Sequence, residues 1–194
     1  MGNNKNFNII LTGIGGQGII TLTRILSEAA LINKKDVKTS ELHGLSQRGG
    51  SVETHVRFGS EIYSPLVRQA GADLVISLER QESLKGAFYS SEKTIFLVNN
   101  DAKTIFGVGK PISAEKIKRG LEKFSKKVIL IPATEIAKKK LGNPVLAGVY
   151  LLSFASQEKL LPLEKNVLLE AVKRIIPKKY FFQNKKVFEL VEKL

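Results

Sequence analysis

A short apolar run, Phe7-Asn-Ile-Ile-Leu11, stops at Thr12 and gives way to Gly13-Ile14-Gly15-Gly16-Gln17-Gly18. Apolar residues at helical spacing follow: Ile19, Ile20, Leu22, Leu26, Ala29 and Ala30. Buried strand, glycine turn and amphipathic helix form the opening of an α/β unit, and few other folds accept so glycine-rich a corner. Glycines let backbone N–H groups approach a phosphate, while the helix N-terminus adds a favourable dipole. The same residues also suit a tight corner that needs glycine only for packing. Gly13, Gly15, Gly16, Gln17 and Gly18 are therefore candidate cofactor-binding residues, with a packed turn as the alternative.

Further along, the pattern predicts a helix over 17–33, a second strand Val37–Leu42 and a loop over 43–49. Ser51–Phe58 alternates Val52, Thr54, Val56 and Phe58 against Ser51, Glu53, His55 and Arg57, the period of a strand with one wetter face. Ala72–Leu78 and Thr94–Val98 read as buried strands, with a helix from Glu79 to about Phe88 between them. Ser113 is a plausible N-cap for a helix reaching about Phe124, followed by strand Val128–Ile131 and a helix over 134–141. Residues 145–158, 163–176 and about 184–193 read as helical, punctuated by Pro162 and Pro177. The expectation is a single domain over 1–194: a three-layer, Rossmann-like α/β fold with a mostly parallel sheet and a helical C-terminal part. The back-to-back strands 37–42 and 51–58 predict a local mixed or antiparallel departure from that sheet.

The second informative stretch is 41–59, which holds both histidines, His43 and His55, and the run Ser46-Gln47-Arg48-Gly49-Gly50-Ser51. Arg48 suits a carboxylate or phosphate clamp, because its planar fork binds two oxygens at once. Gly49 and Gly50 supply N–H groups or room for a close approach. The plainer alternative is a hairpin-like turn whose Arg48 pairs with Glu41 or Glu53. His55 reads as an ordinary structural histidine. In open α/β sheets ligands meet the carboxyl ends of strands, and both glycine loops are expected at such ends. The two loops should therefore meet over one sheet edge.

Composition narrows the function. The chain has no cysteine, which removes disulfides, thiolate metal sites and cysteine-held iron–sulfur clusters from it. With two histidines, a histidine-rich metal site is not expected. The net charge is +13, and the surplus lies late: residues 1–97 carry 11 Lys/Arg against 9 Asp/Glu, residues 98–194 carry 20 against 9. Such a half suits an anionic cofactor, an acidic protein or nucleic acid, or is simply a solvated lysine face. Nucleic acid is disfavoured by sparse aromatic interleaving. The polar start, Met1–Asn6, and the lack of any apolar run near the roughly eighteen residues of a membrane span predict a cytoplasmic protein without membrane contact.

Gly13-Ile-Gly-Gly-Gln-Gly18, His43-Gly-Leu-Ser-Gln-Arg-Gly-Gly-Ser-Val52 and Val56-Arg-Phe-Gly59 together resemble the gamma-subunit or gamma-domain family of 2-oxoacid:ferredoxin oxidoreductases, in its indolepyruvate branch. Ala72-Asp-Leu-Val-Ile-Ser-Leu-Glu79 and Asn143-Pro-Val-Leu-Ala-Gly148 continue the likeness. The resemblance implies a chain inactive alone, within a hetero-oligomer that decarboxylates an aryl-pyruvate to an acyl-coenzyme A and passes electrons to ferredoxin. It implies a larger partner subunit carrying thiamine diphosphate with magnesium and iron–sulfur clusters. Two donor-rich loops at one sheet edge and the basic surplus then suggest this chain's part in such an assembly: the Gly13–Gly18 turn receives an anionic group of coenzyme A, and Arg48 with His43 and Ser46 faces the partner's reaction centre. The competing reading is an NAD- or FAD-binding Rossmann oxidoreductase using Gly13–Gly18 and Glu41, an acid 23 residues beyond Gly18 near where a ribose ligand would sit.

Overall fold

The computed structural model describes residues 6–43, 49–102 and 111–192, with the His43 side chain outside that description. Six strands form one sheet in the order β2-β3-β1-β4-β5-β6: β1 Phe7–Ile14, β2 Asp36–His43, β3 Ser51–Gly59, β4 Leu74–Ser77, β5 Ile95–Asn99 and β6 Lys127–Ile131. The helices are α1 Ile19–Ile32, α2 Ala114–Leu121, α3 Ala133–Leu141, α4 Ala147–Gln157, α5 Lys165–Ile175 and α6 Lys178–Val191. β1, β4, β5 and β6 pair in parallel, while β3 runs antiparallel to both β1 and β2. The mixed departure expected around 37–58 is this one reversed strand. It leaves the ends of β1, β2 and β4 and the start of β3 along a single edge.

The three layers follow from period-two alternation in the central strands. Ile9, Leu11, Leu74, Ile76 and Leu97 face one core with α1, α4, α5 and α6; Ile10, Val75, Phe96 and Val98 face a smaller one with Ile117 and Leu121 of α2. Strands buried on both faces read as continuous apolar runs, which is why they were visible in the sequence.

Three local expectations are corrected. The segment expected as a helix over 79–88 is a 3₁₀ helix, Glu82–Tyr89. Ser83 and Ser90 hydroxyls donate to the carbonyls of Arg80 and Ala87, tightening its turns. The last helix begins at Lys178, since Pro177 starts a helix as readily as it ends one. A 3₁₀ turn, Pro144–Leu146, precedes α4, with the Asn143 side chain accepting from Val145 N–H at 3.1 Å.

Gly86 lets the 3₁₀ segment lie directly on the sheet. A Cβ there would sit 2.6 Å from Val75 Cγ1 and 3.1 Å from Phe96 Cε1, both on fully buried residues. Gly86→Ala should cost about 1–3 kcal/mol through overpacking, read as a lower urea midpoint with an unchanged slope. An unshifted midpoint would show that this contact has slack.

Candidate functional site

The β1–β3 ladder runs to its last rung, Ile14 opposite Ser51, and there the two glycine loops meet. Gly15 N–H donates to the Gly50 carbonyl at 2.8 Å. The expected meeting of the loops at one sheet edge is thus a direct backbone hydrogen bond. Gly13 has no room for a side chain, because a Cβ would lie 2.7 Å from Gln17 Oε1 and 2.8 Å from Ile19 Cδ1. Gly16 (φ +93°), Gly18 (φ +84°) and Gly49 (φ +73°) are left-handed, with open space where a Cβ would point. Packing at Gly13 and turn geometry at Gly16 and Gly18 are both real, so the packed-corner alternative accounts for these glycines, with open space left beside Gly16 and Gly18.

Gln17 acts as a brace. Its oxygen accepts from Ile14 N–H at 2.7 Å and its amide donates to the Leu78 carbonyl at 3.1 Å, tying the turn after β1 to the end of β4. Asn99, fully buried at the end of β5, also donates to Leu78 O at 3.0 Å and to Thr134 Oγ1 at 2.7 Å. Thr134 N–H returns a bond to Asn99 Oδ1, and its hydroxyl reaches Asp101 at 3.1 Å. A cleft of about 180 Å³ opens above this network, lined by Gly16, Gln17, Asp101, Thr134, Val145 and Gly148. It lies where the chain leaves β1 toward β2 on one side and β4 toward β5 on the other, the switch point at which open α/β sheets bind ligands.

A second, more apolar lobe of about 390 Å³ adjoins it through Gln17, Val145 and Gly148, reaching Leu22, Val149, Ile176 and Tyr180. The turn before α1 borders the first lobe through Gly16 and Gln17, and the first turn of α1 borders the second through Thr21 and Leu22. Its cap residue Gly18 provides no side-chain cap, and its first turn holds no acidic residue. The first-turn amides therefore remain available to an anion. The arrangement can hold a molecule with an anionic middle and an apolar end. Asp101, at the far side of the narrow lobe, would repel an anion placed there.

Sequence reasoning missed Asn99, Asp101, Thr134, Val145 and Tyr180 as lining residues. The available signal was Asn99-Asn100-Asp101 closing a buried strand, which reads equally as a turn. Of the candidates in the second loop, Ser46, Gln47, Arg48 and the His43 side chain lie outside the described residues. Gly49 and Gly50 are placed beside the glycine turn. Glu41 is on edge strand β2 opposite Thr54, with the whole of β3 between it and β1. Two strand spacings of about 4.8 Å each separate it from the turn, whereas a ribose-binding acid belongs on the strand next to β1. Among the described residues no three His, Asp or Glu groups gather as for a metal, and no helix is long and apolar enough to cross a membrane.

The wetter face of β3 carries a buried polar network at the foot of the second loop. His55 is 1% exposed; its Nδ1 accepts from Val67 N–H at 3.0 Å, so a neutral ring bears its proton on Nε2, 3.2 Å from Glu53 Oε1. Tyr89 donates to the same carboxylate oxygen at 2.7 Å and meets the His55 ring edge-on. Ser51 donates to Glu82 at 2.5 Å, and Lys85 contacts both. Burial pushes the Glu53 carboxyl up, yet hydrogen bonds from His55 and Tyr89, with the charge of Lys85, hold it below its ordinary value of 4.5. The Tyr89 phenol is pushed up to about 12 by burial and by its bond to Glu53.

The family model for pyruvate ferredoxin/flavodoxin oxidoreductase matches residues 8–192. The indolepyruvate oxidoreductase subunit IorB of Pyrococcus horikoshii is 34% identical over 96% of this chain and 94% of its own. The subunit of that name from Archaeoglobus fulgidus is 32% identical over 94% and 92%. Among solved structures, the gamma subunit of a keto/oxoacid ferredoxin oxidoreductase from Geobacter sulfurreducens shares the fold, with a TM-score of 0.69 at 21% identity over 96% of this chain and 97% of that one. The 2-oxoglutarate:ferredoxin oxidoreductase of Magnetococcus marinus, solved with 2-oxoglutarate, coenzyme A and succinyl-CoA bound, gives 0.73 at 19% over 99% of this chain and 32% of that one.

Tyr89→Phe should cost about 1.5–3 kcal/mol near neutral pH, the worth of a hydrogen bond to a charged carboxylate. The phenol is protonated in both states below its ordinary value of 10.0 and ionises more readily when unfolded, so its contribution is lost as pH rises from 10 toward about 12. Glu53 contributes in the opposite sense: its share is present above 4.5 and is lost as pH falls through its lower folded value. Urea midpoints from pH 4 to 7 and 9 to 11.5 test both; a Phe variant with the parent's alkaline decline would contradict the phenol assignment.

Proposed function

The chain belongs to the pyruvate ferredoxin/flavodoxin oxidoreductase family, and from that membership we propose that it serves the complex as its coenzyme A-facing subunit. It is a subunit of a 2-oxoacid:ferredoxin oxidoreductase of the IorB type, within a hetero-oligomer. In our reading the oxoacid is an aryl-pyruvate such as indolepyruvate, in keeping with the relatives' names. The reaction is oxidative decarboxylation to an acyl-coenzyme A, with electrons passing to ferredoxin.

The single observation behind the coenzyme A assignment is the paired lobes at the α1 N-terminus. The Gly16–Gly18 turn offers amides to the phosphates, Gly49 and Gly50 add a second backbone edge, and the adjoining lobe accepts a less polar part of the molecule. Coenzyme A supplies the thiol that accepts the acyl group; this chain's residues bind and orient it. Ser46 and Arg48, which follow β2 in the sequence, and His43 at its last position are assigned to the wall that meets the partner's reaction centre. Thiamine diphosphate, magnesium and iron–sulfur clusters are assigned to the larger partner subunit. Clusters ligated by cysteine do not fit this chain, which has no cysteine. The cytoplasm is the corresponding compartment.

The dinucleotide alternative is weakened by β3. A NAD or FAD site of the usual layout needs Glu41 beside the turn, and the reversed strand keeps it away.

The assembled complex, purified anaerobically, tests the assignment. Gly16→Asp, placing a carboxylate in the open space of the turn, should raise the KM for coenzyme A by ten-fold or more, about 1.4 kcal/mol or above, and leave the oxoacid KM near its parent value. Arg48→Ala should lower coenzyme A-dependent turnover far more than stability. An unchanged coenzyme A KM in Gly16→Asp would remove the turn from the binding site, and full activity in Arg48→Ala would remove that residue from the wall.

A further inference from the structure

α6 has two unlike faces. Asn184, Val187, Phe188 and Val191 are buried, and the helix packs on α4 and α5. The outward side carries Phe182, 73% exposed, with Lys178 and Lys179 one turn before it and Lys185 and Lys186 one turn after. Residues three and four apart share one stripe of a helix, so four lysine positions flank Phe182 on that stripe. Lys185 reaches Glu189 only at 4.0 Å, and Lys179 lies over the Tyr180 ring at 4.9 Å. Among the described residues no carboxylate pairs with Lys178, Lys179 or Lys186. This is a different pattern from α3, where Lys139 is matched with Glu135 at 2.5 Å.

The chemistry of the stripe selects its partner. A second copy is disfavoured, because like faces of a chain carrying +13 would repel. A membrane needs a free apolar stripe, and the apolar stripe of α6 is already buried in the core, leaving Phe182 on the outward face and Tyr180, 46% exposed, at the cleft. Single-stranded nucleic acid needs successive stacking rings, whereas Tyr180 lines the cleft. One desolvated aromatic anchor within a polar rim is the arrangement of a protein–protein hot spot, and the surrounding charge guides the encounter.

We infer that the outward face of α6 docks the larger subunit of the complex, through an acidic patch surrounding an apolar socket that receives Phe182. The inference rests on the assembly reading above and deepens it. Pro177, Tyr180 and Gln183 line the apolar lobe from the same helix, so a subunit seated on this face would stand beside the mouth of the proposed coenzyme A cleft.

The test is association of the purified chain with the purified larger subunit, measured anaerobically at several salt concentrations. Phe182→Ala should weaken association about ten-fold or more. Lys178→Glu with Lys186→Glu should slow association and flatten its salt dependence. Lys116→Glu on α2, across the sheet, should change neither. All these side chains are exposed, so urea midpoints should stay at the parent value. Parent-like association by both α6 variants overturns the inference. So does normal assembly with a raised KM for ferredoxin, which would give the face to the electron acceptor. A parent chain that does not bind the larger subunit at all overturns the assembly reading together with this one, and is told apart because the parent itself fails.

Discussion

The architecture depends on one reversed strand. β3 lies between β1 and β2 and pairs with both along their full lengths. The β1–β3 register sets Ile14 against Ser51, and only with that register does Gly15 N–H reach the Gly50 carbonyl. A slip of one residue would turn Val52, Thr54, Val56 and Phe58 out of the core, so burial of that face fixes the register and the register fixes the meeting of the loops. The same strand holds Glu41 away from the turn, which separates this site from a dinucleotide fold with the same glycine signature.

Around that junction, each fixed element supports a neighbour that must stay open. Gln17 spends its side chain on Ile14 and Leu78, leaving the first-turn amides of α1 to any anion. Asn99 and Thr134 satisfy one another beneath the cleft, so its floor is rigid and its polar groups are already matched. Gly148 lets α4 close against Leu22, where a Cβ would come within 2.8 Å, and this approach shapes the wall shared by the two lobes. The Glu53, His55 and Tyr89 network anchors the β3 side of the edge in a buried setting, where a matched carboxylate is stable and an unmatched one is costly.

The central strands and α1 were legible because their apolar periods are strong and uninterrupted, and the glycine turn because positive φ leaves a visible mark in composition. The structural reading of His55 matches its burial and its bonds to Val67 and Glu53. Less legible was the 3₁₀ segment 82–89, where Gly86 and two serines shift the turn type while the apolar pattern still reads as helix. The start of α6 was hidden because Pro177 is compatible with a break and with a first turn alike. The cleft walls at Asn99, Asp101 and Thr134 are brought together across 35 residues of chain, and no local pattern encodes such a meeting. The lysines of α6 looked like any solvated face until Phe182 was placed among them.

The central claim is that the glycine junction holds the phosphates of coenzyme A. The most direct measurement is a structure of the assembled hetero-oligomer with coenzyme A bound. The account predicts phosphate oxygens within hydrogen-bond distance of the amides between Gly15 and Thr21, with the cofactor's less polar part entering the lobe lined by Leu22, Val149 and Tyr180. Phosphates bound wholly on the partner subunit, with the Gly16–Gly18 turn facing water, would contradict it.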